Sequence, residues 1–224
     1  MIPPDQTANF NDAGPRISVP VLLLQQQAVM LNFKEPFTWA SGIRSPIYCD
    51  NRVLLSGTAA RGAVVEAFLA ALRAGPDFDV VAGVSTSGIP WATLIADRLD
   101  KPMVYVRPEP KGHGKHNAIE GRLASGAKVI VIEDLISTAG SMLKCVGHLR
   151  EADADVVQCY AIFTYELTKA ADALAEAAVG LTVLGTFTEL VEAARSMGVL
   201  STDEIAKVLL FKEDPASWAQ KVEA

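Results

Sequence analysis

The residues best suited to chemistry stand together at 128–141, KVIVIEDLISTAGS. An apolar β-branched run, Val129-Ile130-Val131-Ile132, has the length and type of a strand buried on both faces of a parallel sheet. Two carboxylates follow, Glu133 and Asp134, then the bulky pair Leu135 and Ile136. A small hydroxyl-rich turn, Ser137-Thr138-Ala139-Gly140-Ser141, leads into a helix-like stretch at 142–150. The N–H groups of such a turn, with the N-terminus of the next helix, suit a phosphate, and the hydroxyls add donors. Anionic carboxylates repel a phosphate, so Glu133 and Asp134 are placed on neutral sugar hydroxyls or, through water, on a metal. The bland alternative is a strand-to-helix turn in which Ser and Thr only cap the helix.

Two other stretches have chemical potential. After the apolar run 79–84 comes Ser85-Thr86-Ser87-Gly88-Ile89-Pro90, another small turn between a strand and a helix, and so another place for an anion. Its Gly83, Ser85, Ser87 spacing approaches a hydrolase nucleophile elbow but lacks the last Gly, and no His or acid completes a triad. The second stretch is 105–121, YVRPEPKGHGKHNAIEG, whose two prolines and glycines forbid a regular element and predict a long mobile loop. Between Arg107 and Arg122 it holds four Lys/Arg against two Glu, and two of the chain's three histidines. A mobile cationic loop is what a highly charged leaving group requires, since it can close, neutralise charge and exclude water.

The elements that must position these groups alternate. Helices are expected at 57–73, 91–100, 142–150 and 169–178, and strands at 79–84, 103–106, 129–132, 155–165 and 181–186. Thr188 is placed as the cap of a helix at 188–196, and 205–212 forms another. That order predicts an α/β fold, a central parallel sheet flanked by helices. Ligand sites in such sheets lie outside the carboxyl ends of the strands, where all three stretches fall. Ahead of this core, 1–20 carries four prolines and reads as a loose lead-in, 21–33 as a helix, and 37–52 as a hairpin about a Ser-Gly turn. The division expected is a lead-in at 1–20, a small N-terminal segment at 21–56 and a core at 57–224, one domain overall.

Half of the 224 residues are hydrophobic, enough for a sizeable core, and the net charge of −6 argues against a general affinity for nucleic acid or anionic membrane. No apolar run approaches the ~18 residues that span a bilayer, and the first residues lack the layout of a secretory signal. Cys49, Cys145 and Cys159 sit among apolar neighbours and form neither a disulfide framework nor a metal spacing. A cytoplasmic, reducing habitat is expected, and His148, within a helix, is read as structural.

The 128–141 stretch resembles the phosphoribosyl-pyrophosphate (PRPP) motif of the type I phosphoribosyltransferases. Residues 37–52, with Phe37-Thr38, Ser41-Gly42, Ser45-Pro46, Tyr48 and Asp50-Asn51, resemble the N-terminal signature of the orotate phosphoribosyltransferases. Arg107, Lys111 and His113 match that family's Arg-x-x-x-Lys-x-His-Gly catalytic loop. The resemblance implies the type I phosphoribosyltransferase fold, with 21–56 forming most of a hood over the pyrimidine. It implies transfer of ribose 5-phosphate from PRPP to N1 of orotate, in pyrimidine biosynthesis, with Mg²⁺ held mainly by substrate and water. It assigns catalysis to Lys111, His113 and Arg107. PRPP falls to these three and to Glu133, Asp134, Leu135, Ile136, Ser137, Thr138, Ala139, Gly140 and Ser141, and Ser137 also touches orotate. It further implies a homodimer in which the 107–121 loop reaches the partner's active site. The chain departs from the family where Ala40, Ser87 and Pro108-Glu109 replace lysines of some members, and where Tyr165-Glu166-Leu167 offers no Arg for the orotate carboxylate. A transferase for another base and a non-catalytic PRPP-sensing regulator are the alternatives.

Overall fold

A computed structural model describes residues 18–39, 42–109 and 118–223 of the chain. The centre is a sheet of six strands: β5 (Val80–Val84), β6 (Met103–Val106), β7 (Ile119–Glu120), β8 (Lys128–Ile136), β9 (Asp155–Thr164) and β10 (Leu181–Thr186). They lie in the order β10-β9-β8-β5-β6-β7, all neighbours parallel except the edge pair β6–β7. The parallel core carries the apolar runs read from the sequence, which need cover on both faces. The strand at Ile119–Glu120 was not expected, because the glycines and prolines around it read as loop; it forms by pairing with Tyr105 and Val106.

Side chains of the central strands alternate between two apolar layers. Val81, Ile130, Ile132 and Ile162 join one core, beneath α2 (Thr58–Arg73) and α3 (Gly88–Leu99). Ala82, Val84, Val129, Val131 and Ala161 join the other, beneath α4 (Gly140–Glu151) and α5 (Thr168–Glu176). Both faces are thereby sealed, and ligands are left the carboxyl ends of the strands.

The N-terminal segment departs from the helix expected at 21–33. Helix α1 covers only Val19–Gln25, capped by Ser18, so the expected lead-in already turns helical at Val19. Gln27 takes a left-handed conformation, and β1 (Val29–Leu31) pairs antiparallel with β4 (Ile47–Cys49). A tertiary pairing has overridden a helical pattern. The hairpin at 37–52 is present as β2 (Phe37–Thr38) and β3 (Arg44–Ser45). The described remainder of the chain is α6 (Phe187–Ser196), α7 (Thr202–Glu213) and α8 (Trp218–Glu223). The cap of α6 is Thr186 rather than Thr188, in a reciprocal box with Glu189. Trp39 of the N-terminal segment lies 5.5 Å from the ring of Phe211 on α7 and 4.8 Å from Tyr165 beyond β9. Phe211 in turn meets Trp218 of α8 edge-on at 6.0 Å.

Candidate active site

Strand β8 runs past the apolar stretch, pairing through Ile136↔Thr164, so Glu133, Asp134, Leu135 and Ile136 lie on the strand and not after it. The correction matters because the ladder fixes both carboxyl groups. Glu133 is buried, and its Oε1 accepts from the Asp134 backbone N–H at 3.1 Å. The turn Ser137, Thr138, Ala139 then enters α4 at Gly140, with Ala139 in the left-handed region at φ 62°. That conformation lets the chain reverse within three residues, so the helix N-terminus opens toward the turn.

Helix α3 brings the second small turn against the first. Gly88, its first residue, passes so close to β8 that a Cβ there would overlap the Ile132 carbonyl oxygen and lie 3.3 Å from Glu133 Cα. Only glycine permits this approach. Ser85, Thr86 and Ser87 thus line one cleft of ≈ 290 Å³ with Glu133, Asp134, Leu135, Ser137 and Ser141. A neighbouring cleft of ≈ 300 Å³ shares Glu133, Leu135, Ser137 and Ser141, and extends along Ile136, Thr138, Ala139 and Gly140 to Met142, Lys144 and Pro108. The 85–87 turn and the 133–141 stretch share the first cleft, and the described part of the third stretch reaches the second cleft at Pro108. Among the described residues, the turns meet no histidine: His148 pairs with Glu151 on α4 at 3.2 Å. The Ser85 Oγ is buried with no partner.

The N-terminal segment closes the first cleft with Cys49, Asp50 and Arg52, which the sequence reading gave no role. Their only signal was the Asp-Asn pair of the signature, which Asp50 opens and Cys49 and Arg52 flank. Asn51 is fully buried and donates from Nδ2 to the Asp134 carbonyl at 2.7 Å, while the Cys49 thiol donates to its Oδ1 at 3.3 Å. This couples the segment to the acidic strand across 83 positions of sequence. Burial pushes the Cys49 thiol well above its usual range, so it serves as a donor rather than a nucleophile.

Burial also acts on the acidic pair. Burial first, and the Asp134 carboxyl second, push Glu133 up to about 9. Burial raises Asp134 as well, against the opposing pull of the Glu133 hydrogen bond and Arg52. The Arg52 hydrogen bonds hold Asp50 below the usual carboxylate range.

Arg107 lies at the end of β6, where its guanidinium bonds Glu120 at 3.3 Å and the Glu109 carbonyl at 3.1 Å. Lys111 and His113 lie outside the described residues, as does Ala40. Lys144, unremarked in the sequence, supplies a cation to the second cleft.

Comparison with known proteins gives the arrangement a lineage. The family model of the phosphoribosyl transferase domain matches residues 57–190. The chain is 47% identical over 197 residues to the orotate phosphoribosyltransferase of Streptococcus gordonii, covering 88% of this chain and 94% of the relative. The corresponding protein of Streptococcus pyogenes is 46% identical over 199 residues, covering 88% and 95%. Among solved structures, orotate phosphoribosyltransferase of Aeropyrum pernix superposes with a TM-score of 0.71 at 30% identity, over 82% of this chain and 99% of that one. UMP synthase of Leishmania donovani gives a TM-score of 0.75 at 26% identity, over 89% of this chain and 42% of that one. A sheet whose strand ends gather two small hydroxyl-rich turns and an acidic pair, and a likeness to these proteins along nearly the whole chain, place this protein in the orotate phosphoribosyltransferase family.

Proposed function

We propose that the chain transfers ribose 5-phosphate from PRPP to N1 of orotate, releasing pyrophosphate and orotidine 5′-monophosphate in pyrimidine biosynthesis. The observation that carries this reading is the shared cleft: the 85–87 turn, the acidic pair and the 137–141 turn face one space. That space fits a sugar with phosphate at both ends. The 137–141 turn and the N-terminus of α4 hold the 5-phosphate, Glu133 and Asp134 the ribose hydroxyls, and the 85–87 turn the pyrophosphate. Ser137, lining both clefts, is placed to touch orotate as well.

Breaking the C1–O bond builds positive charge on the sugar and negative charge on the leaving group. Catalysis is therefore positioning and electrostatic stabilisation, with no covalent nucleophile. Lys111 and His113 are assigned to the pyrophosphate, and Arg107 joins them on exchanging its present bonds to Glu120 and the Glu109 carbonyl for the leaving group. The hard carboxylate oxygens of Asp134 on the cleft wall suit Mg²⁺ held mainly through substrate and water. When bound, Mg²⁺ would offset phosphate charge. The reading includes a homodimer whose 107–121 loops cross into the partner site. Mixing Lys111→Ala with Asp134→Asn protomers then restores roughly a quarter of wild-type activity, and no recovery would place the loop in its own subunit. The three free cysteines are buried thiols, in keeping with a reducing cytoplasmic setting, and no helix among the described residues is long and apolar enough to cross a membrane.

The direct test mixes pure protein, Mg²⁺, PRPP and orotate and follows the loss of orotate absorbance. Competition with uracil and purine bases decides between orotate and another base; a protein that consumes none of them would be a non-catalytic binder.

A further inference from the structure

We infer that Arg52 is the guanidinium that receives a substrate anion in the first cleft, with Asp50 as its positioning partner. The inference rests on the phosphoribosyl-transfer reading and names a residue for it. On that reading the space beside the 85–87 turn takes a pyrophosphate group, and the orotate carboxylate is a second anion in need of a cation. Yet the titratable side chains on its described walls are Cys49, Asp50, Glu133, Asp134 and Arg52, so Arg52 is its cation among the described residues. Arg107 is turned to Glu120 and the Glu109 carbonyl, and Lys144 faces the other cleft.

The geometry prepares Arg52 for this work. Asp50 caps the 3-10 helical turn at Asn51–Leu55 by accepting from the Arg52 backbone N–H at 3.1 Å. The same carboxylate grips the guanidinium side-on, Nε to Oδ1 at 2.6 Å and Nη2 to Oδ2 at 2.8 Å. A side-on grip fixes the plane of the guanidinium while its Nη1–Nη2 edge stays open, and that edge matches two oxygens of a phosphoryl or carboxylate group. The side chain is 62% exposed, so the open edge is committed to nothing in the core.

The test uses the full chain with Arg52→Gln and Arg52→Lys. Titration with inorganic pyrophosphate and Mg²⁺ reads one source of the anion. Orotidine and uridine 5′-monophosphates, which differ only in the carboxylate, read the other. Arg52→Gln is expected to weaken pyrophosphate binding by about ten- to a hundredfold, with part regained in Arg52→Lys, which keeps the charge but not the fork. If the carboxylate is the anion received, the preference for orotidine over uridine monophosphate falls by that factor and pyrophosphate binding holds. Either result supports the assignment and identifies the source. Arg52→Gln binding all three ligands within about twofold of wild type, at an unchanged melting temperature, overturns it. A wild-type chain that binds neither pyrophosphate nor orotidine monophosphate overturns the phosphoribosyl-transfer reading, and this inference with it.

Discussion

Replacing Gly88 by alanine tests whether the contact of α3 with β8 sets the spacing of the two anion-binding turns. The new methyl group would overlap the Ile132 carbonyl oxygen, lie 3.2 Å from its carbon and 3.3 Å from Glu133 Cα. All three are backbone atoms of a central strand paired on both sides, so no side chain can swing away. The helix must instead lift by roughly 1 Å. Overpacking of this kind costs ~3 kcal/mol, offset by up to ~1 kcal/mol from the better helix propensity of alanine. The net ~2 kcal/mol corresponds to a fall in Tm of about 4–8 °C for a chain of this size. Because Ser85–Ser87 ride on the start of α3, the lift also parts the pyrophosphate turn from Glu133 and Asp134, and a displacement of ~1 Å can lower turnover about a hundredfold. Differential scanning calorimetry and the orotate absorbance assay measure the two effects. Gly147→Ala on α4 is the control, since its Cβ meets nothing within 4 Å and should raise stability by ~0.5–1 kcal/mol. A Gly88→Ala protein with the melting temperature and turnover of the wild type would refute the reasoning.

Lys111→Ala removes one cation from the leaving group and should lower kcat/KM about a hundredfold, or ~3 kcal/mol; near wild-type initial rates would remove the loop from the mechanism. Asn51→Leu takes the donor from the Asp134 carbonyl and should cost ~1–3 kcal/mol in urea unfolding, so an unchanged midpoint would deny that bond a structural role. Glu133 is held at about 9 in the folded chain against an ordinary 4.5, so between those values the folded state binds more protons than the unfolded one. Stability of the substrate-free protein should therefore fall as pH rises through that window, and Glu133→Gln should flatten the slope. Urea midpoints at about pH 5 and about pH 8.5 for both proteins check this, and parallel profiles would show that Glu133 titrates normally.

Much of the site was legible because strand-end turns announce themselves in residue type. Val129 to Ile132 reads as a buried strand, and small hydroxyl residues beside glycine read as a turn. The end of β8 was not legible: polarity changes at Glu133, but the hydrogen-bond ladder continues because β9 runs on to Thr164. A composition break marks where side chains change neighbours, and the backbone does not have to stop there. The capping box at Thr186–Glu189 was in plain view as T-x-x-E, and choosing Thr188 overlooked it. The N-terminal helix was overextended because its fate depends on Ile47–Cys49 arriving from elsewhere in the chain. Nothing local discloses the Asn51–Asp134 bond. The upward push on Glu133 comes from burial, which the order of residues does not state.

The edge-on contacts of Trp39 with Phe211, and of Phe211 with Trp218, tie a segment made early to α7 and α8, made much later. A ribosome product stopped near residue 200 would already own both strand-end turns, yet the segment that carries Trp39 would lack this brace. With the N-terminal segment proposed as the seat of the base, removing α7 and α8 should erode discrimination between bases before it abolishes affinity for PRPP.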